Sequence, residues 1–239
     1  MKIFYDLHIH TCLSPCALDE MTPNNVVNMS LIKGLDVIAI TDHNSIANCE
    51  AAMEVAEDLD ILVIPGMELQ TIEDIHLVCL FPDMKAAKSF DRVVDLHRLP
   101  IKNRPTSIGH QRILNANDDQ TDEEPIALIA SIYMDIETTM AQVEAVGGVA
   151  FPAHIDRASH SVLISLGFIP PDWSLGVVEC SGYPSGDQMA DSPIYKGKYT
   201  ILRNSDAHEL VHISEPVHTL EVEEKSNAGV LNALRSGPQ

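Results

Sequence analysis

The sequence predicts an α/β barrel of the (β/α) type carrying a lid-like insertion, and three observations lead there. Short apolar runs alternate with helical stretches, the rhythm of a mainly parallel sheet flanked by helices. Nearly every apolar run ends in a histidine or an acid, and a parallel barrel brings the C-terminal ends of its strands to one rim. The 239 residues suit one closed or nearly closed barrel better than two small domains. A single domain over residues 1–239 is therefore expected.

The elements follow in order. "KIFYDLHIH" is a strand. "TPNNVVNMSLIKG" is a helix with Thr22 as N-cap, Pro23 at the first helical position and Gly34 at its stop. "LDVIAITDHN" holds a buried strand over Val37–Ile40, and a helix follows from Ser45 to Leu59. "ILVIPGMEL" and, after a short polar turn, "IHLVCLF" are the third and fourth strands, with a helix over Lys85–Leu96 behind them. "IETTMAQVEAVGG" is a helix with an apolar face of Met140, Val143 and Val146. "GVAFPAH", "LGVVECSG" and "KYTILRNSDAH" are strands, "ASHSVLISLG" a short helix, and "VHTLEVE" with a helix near Glu224–Ser236 closes the chain. Residues 98–125 break the rhythm. They are polar, contain proline and turn acidic in "NDDQTDEE", read as a solvated loop. A loop of this length in a compact domain is usually a lid or a functional surface. Trp173 and "FIPP" read as packing and turn.

Composition limits the partners. Fifteen basic against thirty-five acidic residues give a formal net charge of −20, which disfavours passive binding to a polyanion, because phosphate-backbone affinity comes mainly from Lys and Arg. Acidic pockets do suit divalent cations, which invert the local field. Apolar residues make up 45% of the chain and mean hydropathy is +0.03, ordinary for a globular protein. No apolar run approaches the roughly 20 residues of a membrane span, and the N-terminus lacks a signal-peptide core. Five scattered cysteines do not read as a disulfide framework. A cytoplasmic protein without a membrane partner is expected.

The strand ends carry the chemistry. The first strand ends in His8 and His10, which point the same way at a spacing of two. The second runs into Asp42 and His43, the third into Glu68, a later one into His154, and another into Asp206 and His208. His76 begins its run instead. If "LQTIEDI" is a hairpin turn, His76 lands beside Glu68. Taken singly, each has an ordinary reading: a lone histidine packed in a core, or Asp42 or Asn44 capping a helix. Their conjunction decides. Gathering so many ionisable groups without a compensating charge costs several kcal/mol per ion, and divalent metals remove that cost. The set exceeds what one ion uses, so two ions sharing Glu68 are expected, with a third possible. Two-metal sites, with ions ~3.5–4 Å apart, clamp the attacking and leaving oxygens of a hydrolytic displacement, with a metal-bound hydroxide as nucleophile.

"DLHIHT", "TDHN", "GMEL" followed by "IHLV", "PAHIDR" and "NSDAH", in that order from Asp6 to His208, resemble the motifs of the polymerase-and-histidinol-phosphatase (PHP) family. The resemblance implies a distorted (β/α)7 TIM-like barrel, two or three divalent ions (Zn, Mn or Fe) and phosphoester hydrolysis. By motif it implies that His8, His10, Glu68 and Asp206 hold one ion, that Glu68, His76 and His154 hold a second, and that His43 and His208 face a third. Many members place a His or Asp shortly after the first motif. Here "HTCLSPCALDE" offers Ser14, Pro15 and Cys16 at about that distance, with Asp19 only further on. Either Cys16 ligates as a thiolate, favouring a borderline metal such as Zn, or it is a small apolar filler. A zinc pair of Cys12 and Cys16 has no further partners visible in the sequence.

Phosphate recognition needs cationic donors, and the planar fork of arginine suits it best. Arg157, after "PAHID", either binds substrate or pairs with a carboxylate. Arg112, in the insertion, either binds substrate or is solvated. The leading expectation is a metal-dependent phosphoesterase acting on a small phosphorylated substrate, a phosphomonoester or short nucleotide. Asp206 and His208 serve catalysis in this reading, His208 by passing a proton to the leaving oxygen. An exonuclease acting on polynucleotide ends is the alternative, disfavoured by charge. An amide hydrolase using the same ions and a non-catalytic, metal-stabilised, partner-binding barrel are the remaining readings.

Overall fold

The computed structural model describes residues 1–181 and 184–237. The elements in chain order are β1 (Lys2–Ile9), α1 (Pro23–Ile32), β2 (Val37–Ile40), α2 (Cys49–Ala56), β3 (Leu62–Gln70), β4 (His76–Leu80), α3 (Met84–His97) and α4 (Pro105–Ile108). They continue as β5 (Arg112–Leu114), β6 (Gln120–Glu123), α5 (Ile136–Ala145), β7 (Val149–Pro152), α6 (Val162–Ser165), β8 (Val177–Cys180), α7 (Pro184–Ala190), β9 (Thr200–Arg203), β10 (Thr219–Glu221) and α8 (Asn227–Ser236). No helix among the described residues is long and apolar enough to cross a membrane.

Six strands form one curled sheet in the order β10-β1-β2-β3-β4-β7. Strands β1, β2 and β3 are parallel, whereas β4 runs antiparallel to both β3 and β7. The sheet is thus mixed at β4, because β3 and β4 are a hairpin, as the short polar turn between them predicts. Strands β8 and β9 form a separate parallel pair. Several links tie that pair to the sheet: Ile155 N–H donates to Glu179 O at 2.9 Å, Ile9 bridges Ala207 in parallel, and Arg203 N–H donates to the Tyr5 hydroxyl at 3.2 Å.

The strand faces sort the core. Ile3, Tyr5, Leu7, Val37, Ala39, Ile64, Val78, Phe151 and Leu202 pack into one buried cluster, together with Val230, Leu231 and Leu234 of α8. A second cluster joins Ile9, Ile38, Ile40, Met67 and Cys79 to Val26, Ala52, Phe90 and Val143 of the helices. The first cluster is lined by alternate strand residues and the second by their outward neighbours, as the period of two requires. Strand β1 departs from this alternation in one place. Its pairing with β2 shifts register between Asp6 and Ile9, and an extra residue in one strand of a pair reverses which side chains face in. Leu7 closes the inward apolar row, and after the shift His8 and His10 also face the interior.

Side-chain caps set the helix starts. Thr22 accepts from Asn25 N–H at 3.2 Å with Pro23 at N1, and Asp83, Asp135 and Ser226 cap α3, α5 and α8 in the same manner. The α2 helix begins four residues later than the sequence predicts. Asn44 sits at φ 47°, a left-handed conformation that starts no helix, and Asp42 spends its oxygens elsewhere. The expected loop at residues 98–125 instead contains α4 and the β5–β6 hairpin, so "NDDQTDEE" is partly strand. The body holds this excursion. Buried Gln111 donates to Glu124 O and Ile126 O at 2.7 Å each and accepts from Leu128 N–H. Asn48 donates to Arg112 O and accepts from Leu114 N–H.

Candidate metal centre

The strand ends converge. His8 Nε2 lies 3.2 Å from Glu68 Oε1 and 3.3 Å from Asp206 Oδ1. His10 Nε2 lies 3.2 Å from His8 Nε2, 3.3 Å from Glu68 Oε2 and 2.9 Å from Asp206 Oδ1. His76 Nδ1 is 2.8 Å, and His154 Nε2 3.2 Å, from Glu68 Oε1, while His43 Nδ1 is 3.0 Å from Glu68 Oε2. The antiparallel β3–β4 register pairs Gln70 with His76, which brings the start of β4 to the same rim as the ends of its parallel neighbours. Glu68 is therefore the hub.

Hydrogen bonds behind the rings settle which nitrogens face inward. His8 Nδ1 meets both oxygens of Glu179 at 3.0 Å. A carboxylate can only accept, so Nδ1 carries a proton and Nε2 is the ring atom turned to the centre, free to ligate once its own proton is displaced. Ser14 Oγ donates to Asp42 Oδ1 at 2.7 Å, so its oxygen accepts from His10 Nδ1 at 2.9 Å. His208 Nδ1 donates to the carbonyl of Asp206 at 2.9 Å. Three histidines thus keep Nε2, the nitrogen left over for ligation, turned toward a region that also holds two carboxylates. Glu68 Oε2 and Asp206 Oδ1 are buried without a hydrogen-bond partner among the described residues, and such atoms cost about 1–3 kcal/mol each when nothing satisfies them. Divalent cations fit this donor set. The donor atoms fall into overlapping groups: His8, His10, Glu68 and Asp206; His43, Glu68 and His76; and His10, His43 and His208.

Residues 6–160 match the PHP domain. The chain belongs to the PHP domain family. The matched segment covers the first four motifs and stops before "NSDAH". A 5'-3' exoribonuclease of Haemophilus influenzae is 28% identical over 189 residues, 63% of this chain and 68% of that protein. An uncharacterized protein of Methanocaldococcus jannaschii is 33% identical over 78 residues, 28% of this chain and 44% of its own length. Among solved structures, the lesion-specific endonuclease Q of Pyrococcus furiosus superposes with a TM-score of 0.69 at 17% identity, over 99% of this chain and 56% of that one. A putative metal-dependent phosphoesterase of Bifidobacterium adolescentis superposes with a TM-score of 0.57 at 17% identity, over 98% and 96%. This PHP chain therefore spans less than half of the archaeal relative and little more than half of endonuclease Q. Family membership carries the enzyme class with it, a metal-dependent hydrolase.

Electrostatics in the PHP centre are those of a cation site lined by opposed charges. Burial opposes ionisation of Glu68, yet His76, His8 and His43 hold it well below the usual carboxylate range. Asp206 is depressed likewise, burial being outweighed by His8 and His10. Burial would also lower His8, but Glu179, Glu68 and Asp206 raise it well above 6.5. Against burial, His10 rises to about 9 through Asp206 and Glu68, and His43 to about 9 through Glu68. Burial pushes His76 down to about 4 and, with His10, His208 to about 3.

A cavity of about 120 Å³ opens on the centre, lined by His43, Glu68, His76, His154, Asp206 and His208 with Arg157, Ser159 and His160. The structure brings all eight sequence-predicted ligands together. Arg157 joins them, its guanidinium paired with Asp206. Arg112 does not line the cavity. Its Nη2 is 3.0 Å from Asp19 Oδ2, an ion pair that accounts for it without substrate. The capping reading of Asp42 is also corrected: it accepts from Thr11 N–H, Thr11 Oγ1 and Ser14 Oγ, all at 2.7 Å.

Sequence reasoning missed Glu179, Ser159 and His160, and it noted Ser14 only for its distance from the first motif, not as the acceptor behind His10. Glu179 left one signal, a carboxylate inside the apolar run "VVEC". Its oxygens also accept from His154 N–H at 3.0 Å and Asn204 Nδ2 at 2.7 Å. His160 Nδ1 is 2.9 Å from Asp74 Oδ1, and its ring stacks on His76 at 4.6 Å. His154, His160 and Asp206 all adopt positive φ, and such backbone strain collects at functional sites. A larger hollow of about 560 Å³ lies at the opposite ends of β7 and β8, among Met140, Glu144, Trp173 and Arg235. It gathers no comparable set of donors.

Proposed function

We propose that the chain is a phosphoesterase that cleaves the terminal phosphoester of a short nucleotide strand. The eight sequence-predicted ligands occupy the metal positions in this reading, and β1–β4 and β7–β9 act together as one seven-stranded barrel and one domain. The observation that carries the reading is the set of inward Nε2 atoms on His8, His10 and His208, each fixed by an acceptor behind its ring, around the orphaned oxygens of Glu68 and Asp206. Bound divalent ions supply an activated water and charge stabilisation to phosphoester hydrolysis. The chain's own residues do the rest. Glu179, Ser14 and the Asp206 carbonyl hold three imidazoles in the ligating tautomer. Glu68 spans the positions, and Arg157 offers its fork at the cavity wall, where a phosphate oxygen would sit.

A cavity of about 120 Å³ is smaller than the roughly 300–1,000 Å³ of pockets that enclose a whole drug-sized ligand. It suits a phosphate group with the rest of the substrate outside. The likeness to a 5'-3' exoribonuclease supports a nucleotide strand, and the net charge of −20 supports a short one, engaged at its end. His208 is reassigned. With Nδ1 as its donor and Nε2 as a lone pair, it has no proton to give a leaving group, which favours a ligand role over a proton donor. The five free cysteines agree with a cytoplasmic site of action.

The test is turnover of 5'-labelled oligonucleotides of graded length beside simple phosphomonoesters, each with Mn or Zn and with a chelator. Metal-dependent release from oligonucleotide ends, absent in His10→Ala, supports the proposal. Release only from simple monoesters restores the small-molecule reading, and no turnover of either class ends it.

A further inference from the structure

Cys16 stands apart from the other cysteines. Cys12, Cys49, Cys79 and Cys180 are buried, whereas Cys16 is exposed. Its Sγ lies 3.1 Å from His208 Nε2, and the His208 ring lies 6.1 Å from that of His43. His208 Nδ1 is committed to the Asp206 carbonyl, so the atom facing sulfur is a lone pair. A thiol in that position donates to it, and a cation between them would take both as ligands. The nitrogen and sulfur ligands of one tetrahedral zinc lie roughly 3.5 Å apart, close to the separation observed. The donor atoms of His10, His43 and His208 lie within 4.8 Å of one another, and His43 is only 7% exposed. A cluster of imidazoles, not a solitary thiol, therefore marks the spot.

The loop is built to keep the sulfur there. Leu18 N–H donates to the His208 carbonyl at 3.0 Å, and Ala17 N–H to the Ser14 carbonyl at 2.9 Å, pinning Cys16 from its C-terminal side. On the other side Gly109 of the excursion, at φ 119°, packs so closely that a Cβ there would come within 1.9 Å of Pro15 O. Only glycine fits, and its close approach holds the Pro15–Cys16 backbone against the rim.

We infer that the Cys16 thiolate, with His43 and His208, ligates a further divalent cation and makes that position selective for borderline, thiophilic metals. The inference rests on the multinuclear reading above. Binding releases the S–H proton to solvent as the sulfur–metal bond forms. Zinc or cobalt is favoured there over manganese or magnesium, because thiolate is a soft ligand and the latter pair prefer oxygen.

Cobalt(II) titration of the metal-stripped protein tests this without relying on activity. Wild type should develop a near-ultraviolet thiolate-to-cobalt charge-transfer band. Cys16→Ala and Cys16→Ser should lose the band and about one equivalent of bound metal. Stoichiometric zinc should also shield Cys16 from alkylation in wild type, read by peptide mass spectrometry, which needs no variant. Cobalt uptake with no thiolate band, or with the same count in Cys16→Ala, overturns the inference and leaves the other positions standing. Alkylation of Cys16 indifferent to zinc overturns it too. Wild type that takes up no metal at all defeats this inference and the multinuclear reading together.

Discussion

Glu179 grips His8 from behind, with both carboxylate oxygens 3.0 Å from Nδ1. The pair is fully buried, and the same carboxylate fastens the backbone of His154 and the side chain of Asn204. One residue on β8 therefore orients groups arriving from β1, β7 and β9.

Glu179→Gln should weaken metal binding about 10–100-fold, the usual cost of losing an acceptor behind a ligating histidine. The amide can place an N–H where His8 needs an acceptor and so favours the wrong tautomer. Isothermal titration with zinc measures the change. An affinity equal to wild type would remove Glu179 from the site.

Asp42 holds the first loop through three donors, Thr11 N–H, Thr11 Oγ1 and Ser14 Oγ. Asp42→Ala strands all three in a buried region. At 1.5–3 kcal/mol for a hydrogen bond to a charged group, a loss of about 3 kcal/mol is expected in denaturant unfolding. Because Ser14 in turn orients His10, metal affinity should fall as well. A variant as stable as wild type would contradict the network.

The metal-free protein should lose stability as pH rises. His10 and His43 have folded values of about 9 against an ordinary 6.5. Their contribution is complete below 6.5 and disappears as pH climbs through 9. Depression of His76 and His208 acts only below 6.5, and depression of Glu68 and Asp206 lower still, where stability is lost as pH falls. Melting temperature of chelator-treated protein should therefore drop between pH 6.5 and 9. Saturating zinc should reverse that slope, since ligands must be deprotonated to bind. A flat profile without metal would refute the assigned charges.

Arg157→Ala should reduce kcat/KM by about 10–100-fold through KM, from the 1.5–3 kcal/mol of a charge-assisted contact. Arg157→Lys should recover only part, because a point charge lacks the fork. Steady-state kinetics on a short oligonucleotide reads both. Unchanged KM in Arg157→Ala would reduce the residue to a partner of Asp206.

The site was legible in the sequence because its members sit at strand ends, where a polar residue after an apolar run is visible without coordinates. Glu68 and His76 needed one further step, the hairpin, which the β3–β4 register supplies. The helix start at Thr22 was readable from cap chemistry; α2 was not, because the left-handed turn at Asn44 leaves no mark in periodicity. Residues 98–125 looked like loop because their strands are short and hydrophilic, and what orders them is Gln111 and Asn48 bonding across the chain. Glu179 hid inside a strand. Burial of a lone carboxylate only makes sense once the ring it serves is known.

The register shift in β1 has a consequence for how this protein can change. Between Asp6 and Ile9, β1 takes three residues where β2 takes two, so Leu7 and His8 both turn inward. Excising Leu7 would restore plain alternation, with His8 and His10 still facing the interior and one apolar stave missing. Such a chain would give up packing beneath the rim while keeping its donors in place.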